Sequence, residues 1–160
     1  MAVRKGSRKP GAAPRLGHGE FVVYPGTRGE VYDLLQRLSD AAGDSPDYGT
    51  PGLSLDRTRL TVRWFGELPA AVQRVLDGAG SIVHVQPTEF RPGDLRAEAA
   101  RLAAEHPAVV AAATARPEGD GIEVLVPPAV AEAAGGAEQA LAGVPSAVPL
   151  FAEIGDAPTT

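Results

Sequence analysis

The sequence contains no cysteine among its 160 residues, and that absence removes several kinds of chemistry at once. Disulfide bonds, thiolate zinc sites, iron–sulfur clusters and cysteine nucleophiles all need the missing side chain. Aromatic residues are also scarce, at 5% of the chain, while hydrophobic residues reach 44%. Aliphatic side chains must therefore fill the core of the one compact domain that this length favours.

Long apolar runs are absent as well. No stretch approaches the ~20 apolar residues that a membrane-spanning helix needs, so no membrane partner is expected. The first twenty residues, MAVRKGSRKPGAAPRLGHGE, have the positive charge of a signal peptide but no apolar stretch after it. The expected location of the chain as written is therefore cytoplasmic, and export is the alternative if the natural start lies upstream.

Positive charge is concentrated at the N-terminus. Residues 1–19 contain five basic side chains and no acidic one, whereas the whole chain has a net charge of −5. Such a stretch is either a basic arm that touches phosphate or an acidic partner, or a solvated, flexible terminus. We interpret it as a flexible tail, and nucleic acid is not the expected partner.

After the tail, helical and strand periodicities alternate. A short strand is predicted at residues 19–26, followed by a helix with Thr27 as its N-cap and Gly43 as its end. The apolar face of that helix consists of Val31, Leu34, Leu35 and Leu38. Helical spacing of these residues indicates that one side of the helix is buried.

A β-hairpin follows at residues 52–64, in GLSLDRTRLTVRW. Apolar and polar residues alternate on both sides of a turn at 56–59, which predicts one buried face. The residues predicted to face the core are Leu53, Leu55, Leu60, Val62 and Trp64. A helix over residues 68–77 and a strand at 81–87 complete a hairpin–helix–strand unit.

A second unit of the same kind is predicted towards the C-terminus. Its hairpin turns at 118–121, its helix is broken at Gly135 and Gly136, and prolines place its last strand at a sheet edge. The two halves span about residues 50–87 and 108–152.

A helix over residues 93–106, with Asp94 as its cap and Leu95, Ala99 and Leu102 as its apolar stripe, is predicted to bridge these halves. We therefore predict an α+β fold, in which two β-hairpin–α–β units form a mostly antiparallel sheet with helices packed on one side. One domain is expected over residues 20–154, with a frayed end at 155–160.

The first hairpin and its helix, PGLSLDRTRLTVRWFGELPAAVQRVL, have a familiar pattern. This pattern resembles the pro-region of the α-lytic protease and streptogrisin group of actinobacterial trypsin-like peptidases. The resemblance covers about residues 50–126, and Asp56 and Trp64 carry most of it. It implies a protein that is not an enzyme but a folding aid and inhibitor, laying sheet surface and a C-terminal tail against a protease. Because no protease domain follows Thr160, the expected action is in trans.

The sequence contains no residue pattern that is typical of a catalytic site. No serine lies in a Gly-x-Ser-x-Gly elbow, and no histidine pair has metal-ligand spacing. His84 has the one sheltered position expected for a base, although a histidine between valines is more typical of a half-buried structural residue. The acidic linker with Asp40, Asp44 and Asp47 lacks the ligand spacing of a calcium loop. No catalytic residue, metal ligand or cofactor is therefore predicted.

Two surfaces are candidates for binding a partner. On the hairpin, Arg59, Arg63 and Phe65 point away from the predicted core, either as a contact patch or as an ordinary solvated sheet face. Near the C-terminus, Leu150 and Phe151 either dock a partner by strand addition or fasten the last strand to the core.

Three functions follow from these observations. The first is a non-catalytic protein-binding module similar to a protease pro-region, with a trypsin-like protease as the partner that the resemblance implies. The alternative is a structural or assembly component of a larger complex, with a basic N-terminal arm. A hydrolase with a scattered triad is the third, and it predicts turnover that His84→Ala abolishes.

Overall fold

The computed structural model describes residues 28–159. The basic tail, the strand predicted at 19–26 and the Thr27 cap lie outside these residues. None of the helices within them is long and apolar enough to cross a membrane. The chain divides into two compact units. Among the described residues, the first comprises 28–43, 53–61 and 69–84, and the second comprises 44–52, 62–68 and 85–159.

The helices and strands follow the order predicted for this part of the chain. They are α1 (Arg28–Ala42), β1 (Gly52–Leu53), β2 (Leu60–Trp64), α2 (Ala70–Asp77), β3 (Val83–Pro87), α3 (Pro92–Glu105), β4 (Ala112–Ala115), β5 (Ile122–Val126), α4 (Pro128–Ala134), α5 (Ala137–Leu141) and β6 (Leu150–Ile154). The fold is α+β, and the order helix–strand–strand–helix–strand occurs twice, with the last helix of the second copy divided into α4 and α5. The helix predicted as a bridge, α3, opens the second copy as α1 opens the first.

Two three-stranded sheets are present in the described residues, ordered β1-β2-β3 and β4-β5-β6. β4 and β5 are antiparallel, whereas β5 and β6 are parallel, with Ile122 paired to Leu150. A parallel pair needs a crossover connection, and α4 and α5 provide it. Within this part of the chain β6 lies at the sheet edge, which confirms the position that its flanking prolines predict.

Each of the two copies contains an equivalent backbone hydrogen bond at the carboxyl end of its central strand. The Thr88 N–H donates to the Trp64 carbonyl at 3.1 Å, and the Gly155 N–H donates to the Val126 carbonyl at 3.0 Å. In each copy the donor follows the last strand and the acceptor ends the central one. The internal repeat predicted from sequence therefore extends to backbone hydrogen bonding.

Burial alternates along both central strands, and on β2 it confirms the predicted inward face. The fully buried residues are Leu60, Val62 and Trp64 on β2 and Ile122, Val124 and Val126 on β5. Trp64 also uses its indole N–H, which donates to the Glu67 carbonyl at 3.1 Å. A buried indole nitrogen needs such a partner, because an unpaired donor in the core is destabilising.

The first arm of the hairpin differs from the prediction. β1 contains only two residues, Leu53 is 39% exposed, and Leu55 is fully exposed. The turn begins earlier than predicted, because the Ser54 hydroxyl accepts the backbone N–H groups of Thr58 and Arg59. The prediction that Leu53 and Leu55 face the core was therefore wrong.

The first unit contains the contact between α1 and α2. Val31, Leu34 and Leu38 are buried on α1, and Val72 and Leu76 are buried on α2. Leu35, predicted as part of the same face, is half-buried. Three of the four residues predicted for the apolar face of α1 are thus buried.

The second unit is built around the helix α3, which packs on β4. Leu95, Ala99 and Leu102 form its buried stripe, as predicted, and join one apolar cluster with the inward side chains of β5. The predicted Asp94 cap is wrong. Arg91 occupies the N-cap position, followed by Pro92, so Asp94 lies inside the first turn.

Candidate binding surface

Three arginines hold the segment of residues 47–50 in the second unit. Arg91 Nε contacts Asp47 Oδ1 at 2.8 Å, Arg96 Nη1 donates to the Tyr48 carbonyl at 3.4 Å, and Arg63 Nη1 donates to the Thr50 carbonyl at 2.9 Å. Backbone hydrogen bonds to β2 and the residue after it hold the same segment. We call it the 47–50 segment.

Close backbone packing supports this arrangement. The Gly93 N–H, in the first turn of α3, donates to the Pro46 carbonyl at 2.7 Å. A Cβ atom at Gly93 would lie 2.6 Å from Pro46 Cβ, a distance that real Cβ atoms do not tolerate. Glycine at this position therefore allows the start of α3 to approach Pro46, the residue before the 47–50 segment.

The predicted hairpin patch is largely used within the molecule. Arg63 donates to the 47–50 segment, and the guanidinium of Arg91 lies over the ring of Phe65, 5.3 Å from its centroid. Arg59 is exposed and belongs to the first unit, whereas Arg63 and Phe65 belong to the second. Strand alternation predicted that these side chains point outward. It gave no indication that Arg91, which is 26 positions from Phe65 in the chain, would contact that ring.

Leu150 and Phe151 also make intramolecular contacts. Leu150 packs against the apolar cluster of the second unit. The guanidinium of Arg116 lies 3.9 Å from the centroid of the Phe151 ring. These contacts favour the interpretation that the pair fastens β6 to the core, and within residues 28–159 no strand pairs with the other edge of β6.

The segment leading into β6 is fixed by an ion-pair cluster on α3. Arg101 contacts both Glu98 and Glu105 at 2.6 Å, and the Ser146 hydroxyl donates to Glu98 at 3.1 Å. Hydrogen bonds from Arg101, and then from Ser146, lower the pKa of Glu98 to about 2. Glu98 is therefore an anion that anchors a loop.

The first hairpin has a tip organised by polar side chains. Asp56 Oδ1 accepts hydrogen bonds from the Ser54 hydroxyl at 2.6 Å and from the Thr58 hydroxyl at 2.8 Å. Both bonds lower the pKa of the Asp56 carboxyl, with the larger effect from Ser54. Arg57 has a φ of 58°, a left-handed conformation that is costly for a side chain of this type and is held here by the turn.

No protein-family model matches the chain, and no curated protein matches it significantly. The geometry must therefore carry the functional argument.

Two histidines lie in the described part of the chain. His84, expected to be sheltered, is exposed on β3, and His106 caps the C-terminal end of α3. Over the same residues no group of three or more His, Asp or Glu side chains is arranged to hold a metal ion.

A cavity of about 130 Å³ lies beside the 47–50 segment, entirely within the second unit. Its lining comes from Gly49 and Thr50, the first turns of α3, and the end of β4 with the turn that follows. We call it the α3–β4 cavity. No feature of the sequence pointed to it, because its walls come from three segments that are distant in the chain.

Proposed function

We propose that the chain is a non-catalytic protein-binding module, similar to a protease pro-region, that binds its partner by strand addition at β6. The observation that supports this proposal is the open edge of the strand. Among the described residues, β6 has β5 on one side and no strand on the other. Its last residue, Ile154, is 61% exposed although it is apolar.

The hydrogen bonds around β6 indicate which backbone groups are free. The Pro149 carbonyl accepts the Ile122 N–H, and the Gly155 N–H donates to Val126, so both residues face β5. Backbone direction alternates along a strand, so Leu150, Ala152 and Ile154 direct their N–H and C=O groups away from β5. Such an unpaired row is a template for an incoming strand.

The rest of β6 is held in place before any partner arrives. Leu150 packs on the core, Arg116 covers Phe151, and the Glu98 cluster fixes the preceding loop. A preorganised edge loses less conformational entropy on binding than a mobile one. Because the pattern of residues 51–76 resembles a protease pro-region, a trypsin-like protease is the proposed partner. In this proposal Asp56 and Glu98 act as structural anions rather than as catalytic groups.

The test is a titration of bacterial trypsin-like proteases with the purified chain, reading residual peptidase activity. Stoichiometric inhibition is expected. Ile154→Pro removes an outward N–H and should weaken inhibition at least about tenfold. Ile154→Val keeps both the N–H and an apolar side chain, and should inhibit like the parent chain.

Two results would count against the proposal. Equal inhibition by the proline and valine variants would show that the β6 edge is not the binding surface. Absence of inhibition at micromolar concentration would exclude a trypsin-like protease as the partner. The alternative role as an assembly component predicts that the same edge pairs with another copy of the chain. In that case sedimentation would show self-association that Ile154→Pro abolishes and Ile154→Val preserves.

A further inference from the structure

We propose that the α3–β4 cavity binds the C-terminal residue of a peptide whose last side chain is apolar. The cavity belongs to the second unit and does not involve the edge of β6. The inference therefore goes beyond the proposed function, and either can fail while the other stands.

The volume of the cavity limits the size of its ligand. At about 130 Å³ it is close to the engineered cavities of about 150 Å³ that admit one benzene molecule. Sites for larger ligands usually measure ≈ 300–1,000 Å³. The cavity therefore accommodates one apolar side chain of the size of valine or leucine, and not a whole cofactor.

The interior surface is suited to an apolar group. Leu95, only 1% exposed, lines it together with Pro92 and Ala115. Burying an aliphatic side chain against these residues is favourable, because it removes apolar surface from water. This contribution gives the cavity affinity for the end of a side chain and little else.

The polar side of the cavity carries an available positive charge. Arg96 lines the cavity, and its hydrogen bond to the Tyr48 carbonyl is long, at 3.4 Å. None of the ion pairs found among the described residues includes Arg96, whereas Arg116, which also lines the cavity, is paired with Asp120. A guanidinium presents a fork of N–H donors that matches a carboxylate. The exposed Thr114 also lines the cavity and offers a hydroxyl donor.

An apolar group next to a carboxylate is the signature of a chain terminus. The last residue of a peptide carries its α-carboxylate one bond from the carbon that bears its side chain, so one residue satisfies both sides of the cavity. Aspartate and glutamate have the charge without the apolar branch, and an internal valine or leucine has the side chain without the charge. The peptide leading up to that residue would lie beside β4, an edge strand of its sheet within the described residues.

The test uses the ¹⁵N-labelled full chain and three probes followed by NMR. N-acetyl-Ala-Ala-Val with a free carboxylate should cause saturable shifts at the amides of Thr50, Ala115 and Gly119. The same peptide as its C-terminal amide should bind at least about tenfold more weakly, because the guanidinium loses its anion. Isovalerate, which supplies the branch and the carboxylate without the peptide, should also be at least about tenfold weaker.

The matched variants are Arg96→Gln and Arg74→Gln. Both arginines are exposed on helices and donate to a backbone carbonyl, but only Arg96 lines the cavity. Arg96→Gln should lower affinity for the free-acid peptide about tenfold or more and leave binding of the amide unchanged. Arg74→Gln should change neither.

Each contrary result would overturn the proposal. Absence of saturable shifts up to roughly 10 mM peptide would mean that the cavity is not a peptide site. Equal binding of acid and amide, or an unchanged affinity in Arg96→Gln, would exclude recognition of the carboxylate. Isovalerate binding as tightly as the peptide would make the cavity a site for small carboxylic acids instead.

Discussion

The guanidinium of Arg116 lies over the ring of Phe151, with its central carbon 3.9 Å from the ring centroid. Arg116 is at the same time paired with Asp120, and the hydrogen bond that its Nε–H donates to that carboxylate raises the pKa of the guanidinium. One arginine therefore joins the hairpin turn between β4 and β5 to the edge strand β6.

This contact can be tested in a double-mutant cycle. Phe151→Leu keeps an apolar side chain and removes the π face, so it should lower the free energy of unfolding by about 1 kcal/mol. Arg116→Gln should destabilise the parent chain more than it destabilises the Phe151→Leu chain, since the contact is already lost there. Urea unfolding of the four proteins measures the coupling. Additive effects would show that the stacked geometry contributes nothing.

Gly119 should be among the least replaceable residues of the second hairpin. Its φ is +73°, and a Cβ atom there would collide with Cβ and Cγ2 of Thr88. Gly119→Ala should cost about 3 kcal/mol or more, because left-handed strain and steric overlap add. The matched control is Gly135→Ala, with φ +85° and nothing within 4 Å, which should cost about 1 kcal/mol. Similar losses in thermal unfolding would show that Thr88 is not a barrier.

Glu98 should make stability depend on pH in acid. Its folded pKa of about 2 lies below the ordinary value of 4.5, so its stabilising effect is complete above pH 4.5 and is lost as pH falls towards 2. Glu98→Gln should lower the free energy of unfolding at neutral pH by on the order of 1 to 2 kcal/mol, after allowance for solvent screening. It should also flatten the acid limb of the stability curve.

The control for this effect is Glu132→Gln. Glu132 is exposed on α4 and occurs in none of the ion pairs found among the described residues. The pH dependence of that variant should follow the parent chain. If Glu98→Gln and Glu132→Gln gave the same acid limb, the cluster with Arg101 and Ser146 would not be the cause.

The exposed hairpin tip gives a further test of the fold. Leu55 is fully exposed, so Leu55→Ser should change the free energy of unfolding by less than about 0.5 kcal/mol. Leu60, five positions later on β2, is fully buried, and Leu60→Ala should cost roughly 2–5 kcal/mol. Denaturant unfolding of both variants distinguishes this arrangement from the one that the alternating sequence pattern predicts, in which Leu55 lies in the core.

The periodic parts of the chain were predictable. Alternation in LTVRW identified the buried residues of β2, and helical spacing identified Leu95, Ala99 and Leu102. The broken helix at Gly135 and the edge position of β6 were also predictable, since glycine and proline restrict the backbone locally. Leu55 was misplaced because a serine and an aspartate beside it turn the chain two residues early.

The candidate site was much less accessible to prediction. Arg63, Phe65, Leu150 and Phe151 were identified as outward or edge residues, but nothing in the sequence showed what each would contact. Arg91, which contacts Phe65, is 26 positions away from it in the chain, and Arg116, which contacts Phe151, is 35 positions away. A single arginine also contributes nothing to the hydrophobic periodicity from which contacts are predicted.

The sequence by itself thus determined the order of elements, the inward face of β2 and the internal repeat, because these depend on local spacing and on backbone preferences within a few residues. The tertiary structure decided which arginines are used internally, which have no carboxylate partner among the described residues, and where a cavity opens between α3 and β4. These features arise where separate segments meet, so long-range packing and charge pairing determine them, and local pattern does not.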